Sequence, residues 1–249
     1  MSDLHSFGRT GIDGKLIRGD RAMGKDRQVL FITGFLSKRW GNKSKALAQW
    51  CEEQGWGFCC YDVRGFGDSE GRFTDYTLSD WIADARSVCT LLKDGPPTTI
   101  VGNSLGGWIA WLIAQEFELV DRLILIAPAF NMMGVRATQI APERRQAWQS
   151  TGWMPWDDDP LHKDWALSWK WVEESEAYWQ ATFDRLRPVH TTILHGLQDS
   201  VILPEGSREF ARLLLAKAPG FPIDLNLIPG DHRLSSPEQV EQFHKLVLG

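Results

Sequence analysis

Thr98-Thr99-Ile100-Val101-Gly102-Asn103-Ser104-Leu105-Gly106-Gly107-Trp108-Ile109-Ala110-Trp111-Leu112-Ile113 passes from a β-branched stretch, through a serine set between glycines, into a continuous apolar run. Thr98 to Gly102 reads as a buried strand and Leu105 to Phe117 as a helix. The Gly-x-Ser-x-Gly string recurs at Gly67-Asp68-Ser69-Glu70-Gly71. That copy lies in a polar loop, with the next helical pattern several residues away. Only the copy around Ser104 has the strand, sharp turn and helix that a nucleophile elbow requires. There the flanking glycines let strand and helix approach closely, and the helix N-terminus favours developing negative charge. Ser104 is therefore the candidate nucleophile and Ser69 a polar turn residue.

Working outward, short apolar runs alternate with longer helical patterns, the rhythm of a largely parallel sheet with crossover helices. Strands are expected at Gln28 to Thr33, Phe58 to Asp62, Arg122 to Ala127, Thr191 to Leu194 and Ile223 to Ile228. Helices are expected at Lys43 to Gln54, Thr77 to Leu92 with Thr77 and Asp80 as a capping box, Pro204 to Leu215, and Pro237 to Leu248. Leu4 to Ile17 is expected to supply an antiparallel edge hairpin. Between Phe130 and Pro188 no strand run is legible. Short helical patterns there are interrupted by Pro142, Pro155 and Pro160, which predicts an inserted helical subdomain rather than a loop. The expected architecture is α/β: a mostly parallel central sheet flanked by helices, formed by residues 1–129 and 191–249, with a helical cap at 130–190 between two strands.

A serine hydroxyl needs an adjacent base, and on such a sheet an acid and then a histidine follow the nucleophile, each at the end of a later strand. Six histidines are present. His5 precedes the nucleophile, His162 and His190 lie in or beside the insertion, and His244 falls within the last helix. His195 ends a strand directly, which suits packing or hydrogen bonding. His232, in Pro229-Gly230-Asp231-His232-Arg233, stands between the last strand and the last helix, where the base belongs. Asp199 is the only carboxylate in the loop His195 to Ile202, and it would accept the His232 Nδ1–H. Asp231, next to the histidine, is assigned a structural part. The oxyanion of an acyl-transfer intermediate would meet two backbone N–H groups, of Leu105 after the nucleophile and of Phe35 in the Thr33-Gly34-Phe35-Leu36 turn.

The 249 residues suit one large domain. With 43% hydrophobic and 24% charged residues and a formal charge of −5, the composition excludes a disordered chain. It also shows no basic stripe for nucleic acid. The longest apolar stretches fall short of the ~20 residues of a membrane span. The first 27 residues are polar and Gly-rich, so a cytoplasmic location is expected. Cys51, Cys59, Cys60 and Cys89 have no metal-ligand spacing and read as small buried hydrophobes, with Cys59 and Cys60 on opposite strand faces. No metal constellation or dinucleotide phosphate loop is seen, so no metal and no cofactor is expected. Seven of the thirteen tryptophans fall between Asn131 and His190. Roughly five of these rings should form the insertion's own core and seam, while Trp153 and Trp156 are expected to line an apolar substrate pocket.

Tyr61-Asp62-Val63-Arg64-Gly65-Phe66-Gly67-Asp68-Ser69, with the Gly102 to Gly107 elbow, resembles α/β-hydrolases generally. Gly34-Phe35, Lys45-Ala46-Leu47, Asn103 to Trp108 and Asp231-His232-Arg233-Leu234 resemble more narrowly the family of the mitochondrial palmitoyl-protein thioesterase and mycophenolic acid acyl-glucuronide esterase. The resemblance implies the α/β-hydrolase fold and an esterase or thioesterase with Ser104, Asp199 and His232 as its triad. It weakens across the Trp-rich insertion, and Thr33 stands where that family often has His or Pro. The expected reaction is hydrolysis of a small-molecule carboxylic ester or thioester with a hydrophobic acyl or aryl group. Two alternatives stay open: C–C or amide cleavage on the same triad, and a ligand receptor with slow turnover.

Overall fold

The computed structural model describes residues 4–156 and 165–248. His162 of the sequence reading lies outside the described residues. Ten strands and eight α-helices are described, in the order β1 (His5–Thr10), β2 (Leu16–Ala22), β3 (Gln28–Ile32), α1 (Asn42–Glu53), β4 (Gly57–Tyr61), α2 (Leu78–Leu92), β5 (Thr98–Asn103), α3 (Leu105–Ala114), β6 (Val120–Ile126), α4 (Met132–Gln139), α5 (Pro142–Thr151), β7 (Trp153–Pro155), β8 (Ala166–Ser168), α6 (Lys170–Ala181), β9 (His190–Gly196), α7 (Glu205–Lys217), β10 (Ile223–Ile228) and α8 (Pro237–Leu248). Eight strands form one sheet in the order β1-β2-β4-β3-β5-β6-β9-β10. From β4 to β10 every pairing is parallel, while β1 and β2 add an antiparallel edge.

The period of two along each inner strand divides the core between the faces of the sheet. Leu30 and Ile32 of β3 and Leu123 and Leu125 of β6 pack on one side with α2, α3 and α7. Val29, Phe31, Ile124 and Ile126 pack on the other, against Leu47 and Trp50 of α1 and Phe243 and Val247 of α8. Cys59 joins the first layer and Cys60 the second, and all four cysteines are buried and unbridged. Burial on both faces explains why these strands read as continuous apolar runs rather than as alternation. The capping box of α2 forms, with Asp80 accepting from the Thr77 N–H at 2.9 Å.

Two elements differ from the sequence reading. The edge hairpin extends to Ala22, because the second half of β2 continues into antiparallel pairing with β4. The β6–β9 connection is not wholly helical. Beside α4, α5 and α6 it carries a ribbon of β7 and β8, with Trp153, Met154 and Pro155 facing Ser168, Leu167 and Ala166. Three-residue strands, one of them ending in a proline, leave no periodicity for a sequence to show. Among the described residues no helix is long and apolar enough to cross a membrane.

Candidate active site

The parallel strands all point their carboxyl ends to one edge of the sheet, and the loops leaving β3, β5, β6, β9 and β10 converge there. At the end of β5 the chain turns sharply: Ser104 has φ 55° and ψ −122°, a conformation in which an L-residue is strained. The turn is held because strand and helix nearly touch. A Cβ on Gly102 would lie 2.3 Å from the Gly106 carbonyl oxygen, and one on Gly106 would lie 2.2 Å from that of Thr33. Backbone bonds from Ser104 N–H to the Ile126 carbonyl (2.8 Å) and from Gly107 N–H to the Ser104 carbonyl (2.8 Å) lock it. The Ser104 side chain is thereby presented at the mouth of the sheet, with the residue itself 7% exposed.

Three of the sequence-derived candidates come within hydrogen-bonding distance. Ser104 Oγ lies 3.1 Å from His232 Nε2, and His232 Nδ1 lies 2.7 Å from Asp199 Oδ2. The Asp199 side chain is fully buried, and its other oxygen accepts the N–H groups of Val201 (2.9 Å) and Ile202 (2.8 Å). Those bonds aim Oδ2 at the histidine. Asp231 is turned away, its Oδ1 accepting the N–H groups of Arg233 and Leu234 and so shaping the loop that carries His232. Ser69 is far from this chemistry. Its Oγ donates to the Asp62 carbonyl at 2.6 Å and accepts the Arg18 N–H at 2.8 Å.

Phe35 and Leu105 flank the serine, and among the described residues neither backbone N–H has an acceptor. A Cβ on Gly34 would sit 3.1 Å from Ser104 Cβ, a tight contact, so glycine there eases the close approach of the β3 turn to the nucleophile. Arg39 ties that turn to the rest of the sheet end: it pairs with Asp20 (2.7 Å), Asp68 (2.8 Å) and Asp62, and its N–H donates to Asp62 Oδ1 at 2.6 Å.

Two clefts open from Ser104 and His232, with Phe35 between them. One, of about 690 Å³, runs beneath α4 and is lined mainly by apolar side chains, among them Phe130, Met132, Met133, Trp156 and Leu203. The other, of about 400 Å³, runs toward the start of α1 and includes Lys38, Lys43, Asn103 and Arg233. Trp156 is 9% exposed, and its ring packs edge-on against Phe35 at 5.4 Å. The structure does not bring Trp153 to either cleft. It is 47% exposed and borders a separate groove with Asp75, Glu173 and Glu174. Its place in the β7 edge, after the Gly152 helix stop, turns the ring outward. Trp148 and Trp171 are buried, and Trp165, Trp169 and Trp179 pack half-buried on the core.

The family model described as "Alpha/beta hydrolase family" matches residues 29–244. The chain belongs to the alpha/beta hydrolase family. It is an enzyme of the alpha/beta hydrolase type, with a thioesterase among its homologues. The human mitochondrial palmitoyl-protein thioesterase ABHD10 is 28% identical over 228 residues, which cover 88% of this chain and 71% of that protein. A putative hydrolase from Agrobacterium vitis S4 superposes with a TM-score of 0.84 at 23% identity, covering 98% of this chain and 97% of its own. Est1E from Butyrivibrio proteoclasticus, solved with ferulic acid, gives 0.77 at 22% identity, covering 96% and 95%. At these identities the structural matches establish the fold.

In this hydrolase the sequence reading misses part of the surroundings of the triad candidates. His195, expected to pack or hydrogen-bond, is a second partner of Asp199: its Nε2 lies 3.1 Å from Oδ2 and 2.9 Å from the Ile202 carbonyl oxygen. A carbonyl can only accept, so Nε2 carries the proton, and Nδ1 accepts from Ser207 Oγ at 2.7 Å. Burial draws the His195 pKa below its ordinary value, with the bond to Ile202 and the Asp199 charge opposing, so the ring is held neutral. The sequence signal was the four-residue spacing from His195 to Asp199, which spans the strand end and the turn. Lys43, Lys38 and Arg233 carried no signal, since surface cations occur throughout the chain. Burial also lowers the Lys43 pKa, partly offset by Asp231.

Proposed function

We propose that this protein is a serine hydrolase that cleaves carboxylic esters or thioesters through an acyl-serine intermediate. The observation that carries the reading is the continuous chain Ser104 Oγ, His232 Nε2, His232 Nδ1, Asp199 Oδ2, at 3.1 and 2.7 Å, built on a serine with positive φ. In the first half-reaction Ser104 Oγ attacks the acyl carbon while His232 Nε2 takes its proton. Asp199 holds the imidazole with Nδ1 protonated and stabilises the imidazolium as it forms. The carbonyl oxygen, now anionic, is received by the Phe35 and Leu105 N–H groups. Collapse breaks the bond to the alcohol or thiol, which receives the proton from His232 Nε2. Water then enters and attacks the acyl carbon as His232 Nε2 takes its proton; the bond from the acyl carbon to Ser104 Oγ breaks, His232 returns the proton to Oγ, and the carboxylic acid leaves.

The acyl or aryl group is assigned to the 690 Å³ apolar cleft, a size within the range of small-molecule sites. In this reading residues 130–190 act as a cap over the serine. The human relative is a palmitoyl-protein thioesterase, which supports both the bond type and a lipophilic acyl group. The buried, unbridged cysteines fit a reducing compartment such as the cytoplasm. The test is covalent labelling with a fluorophosphonate, followed by turnover of p-nitrophenyl esters and matched thioesters of graded chain length. Ser104→Ala should abolish labelling and lower kcat at least ~10³-fold. Labelling that survives Ser104→Ala refutes the assignment.

A further inference from the structure

Asp199 Oδ2, the atom that faces His232, is approached by a second imidazole. His195 Nε2 lies 3.1 Å from it, against 2.7 Å for His232 Nδ1. The rings come from different elements, His195 from the end of β9 and His232 from the loop after β10. His195 is fully buried, and so is the Asp199 side chain. Two further bonds specify its tautomer from opposite sides of the ring. The Ile202 carbonyl oxygen, 2.9 Å from Nε2, requires a proton there, and Ser207 Oγ, buried in the first turn of α7, donates to Nδ1 at 2.7 Å. The Ile202 carbonyl alone would satisfy Nε2–H, yet the ring is set so that the same proton also faces Asp199 Oδ2. β10 packs beside it with Leu227 and α7 with the uncharged Ser207, so the titratable groups acting on the ring are Asp199 and His232. Burial draws the His195 pKa down, and the ring stays neutral.

We infer that His195 is a positioning residue: pinned by Ser207 and Ile202, its Nε2–H shares Asp199 Oδ2 with His232 and so sets how strongly the carboxylate holds the His232 imidazolium. The inference rests on the acyl-transfer reading above, in which His232 is the base. An N–H donor on a carboxylate oxygen takes up part of its negative charge, which weakens the pull of that oxygen on a neighbouring cation. His232 then releases its proton at lower pH and is free to accept that of Ser104. Without the donor, the carboxylate would favour the imidazolium more strongly, and the free base would form only at higher pH. The other charged groups around His232 are Lys43 and Arg233 in the smaller cleft, Glu205 and Glu209 in the larger one, and Asp231 beside it in the chain. A substitution at His195 leaves all of them in place.

Two substitutions separate the donor from the bulk of the ring. His195→Met removes the N–H at similar volume, whereas His195→Gln supplies an amide whose two N–H bonds serve Oδ2 and the Ile202 carbonyl. The acid limb is read from kcat/KM for a p-nitrophenyl ester and from the rate of fluorophosphonate labelling, each against pH. His195→Met should move that limb to higher pH by ~0.5–1, and His195→Gln should return it to within ~0.2 of the wild-type position. A limb that stays in place in His195→Met, even with a lower plateau, makes the ring structural and overturns the inference; so does an equal displacement in both variants. Ring-nitrogen NMR of the wild-type histidines needs neither a variant nor turnover. At pH 7 His195 should be neutral with its proton on Nε2, and a proton on Nδ1 with Nε2 bare overturns the inference. The same spectra follow the His232 titration in all three proteins. A His232 titration displaced in His195→Met and restored in His195→Gln, in a protein that neither labels nor turns over, would overturn the hydrolase reading and leave the positioning role standing.

Discussion

Asp199→Asn is the most searching perturbation, because the structure dictates which way the amide must turn. Asp199 Oδ1 accepts two backbone N–H groups, from Val201 and Ile202. An asparagine can satisfy both only by placing its carbonyl oxygen there, so its NH₂ takes the position of Oδ2, facing His232 Nδ1 and His195 Nε2. The NH₂ only donates, so His232 Nδ1 must become the acceptor and its proton moves to Nε2. Nε2–H cannot take the proton of Ser104. The expected loss is on the order of 10⁴ in kcat, or about 5.5 kcal/mol of barrier. The same NH₂ opposes the His195 Nε2–H. That ring must then reverse its tautomer and abandon the Ile202 carbonyl, or leave a buried donor facing another, at about 1–3 kcal/mol of stability. At about 2–4 °C per kcal/mol for a chain of this size, the melting temperature should drop by several degrees while the fold persists at 25 °C. Ester turnover and a circular-dichroism melt measure the two effects separately. A folded Asp199→Asn enzyme within about tenfold of the parent kcat would falsify the assignment of Asp199.

Ser69→Ala should leave fluorophosphonate labelling intact, since its hydroxyl bonds to Asp62 and Arg18; a thermal melt should show the loss of that buried pair of bonds, about 1–3 kcal/mol. Trp148→Ala, which removes a ring 1% exposed and its bond to the Leu167 carbonyl, should lose ~3–5 kcal/mol in denaturant titration. Trp156→Ala should instead change KM and chain-length preference, because that ring lines the apolar cleft; unchanged preference across an ester series would remove Trp156 from the substrate site. For pH, the buried neutral His195 has a folded pKa below its unfolded value near 6.5. The unfolded chain therefore takes up the proton first, and stability should fall as pH is lowered below about 6.5. His195→Gln should flatten that slope in melts from pH 7.5 to 5. Part should remain from His244, whose pKa burial also lowers; an identical slope in both proteins sinks the argument.

The sequence by itself determined what is local. The strand-turn-helix around Ser104 was legible because its glycines, its β-branched strand and its apolar helix are contiguous, and steric closeness permits nothing larger at Gly102 and Gly106. Inner parallel strands such as β3 and β6 were legible because burial on both faces favours apolar runs, and the edge strand β10 because its apolar and polar residues alternate. Asp199 and His232 could be named because each strand-end loop offered one suitable residue. Tertiary structure alone decided what depends on orientation. Which oxygen of Asp199 faces His232 follows from the N–H groups of Val201 and Ile202, and the second histidine on that oxygen follows from the packing of Ser207 against the end of β9. The outward turn of Trp153 and the inward turn of Trp156, three residues apart, were set by the β7–β8 ribbon, whose strands are too short to carry a pattern. The contrast between the two clefts also required folding. Lys38 and Lys43 line the smaller cleft from the segment after β3, and Arg233 lines it from the loop after β10, 190 residues beyond Lys43. Periodicity reports a residue's neighbours on its own element, whereas a cavity is walled by several elements, and only their packing brings those walls together.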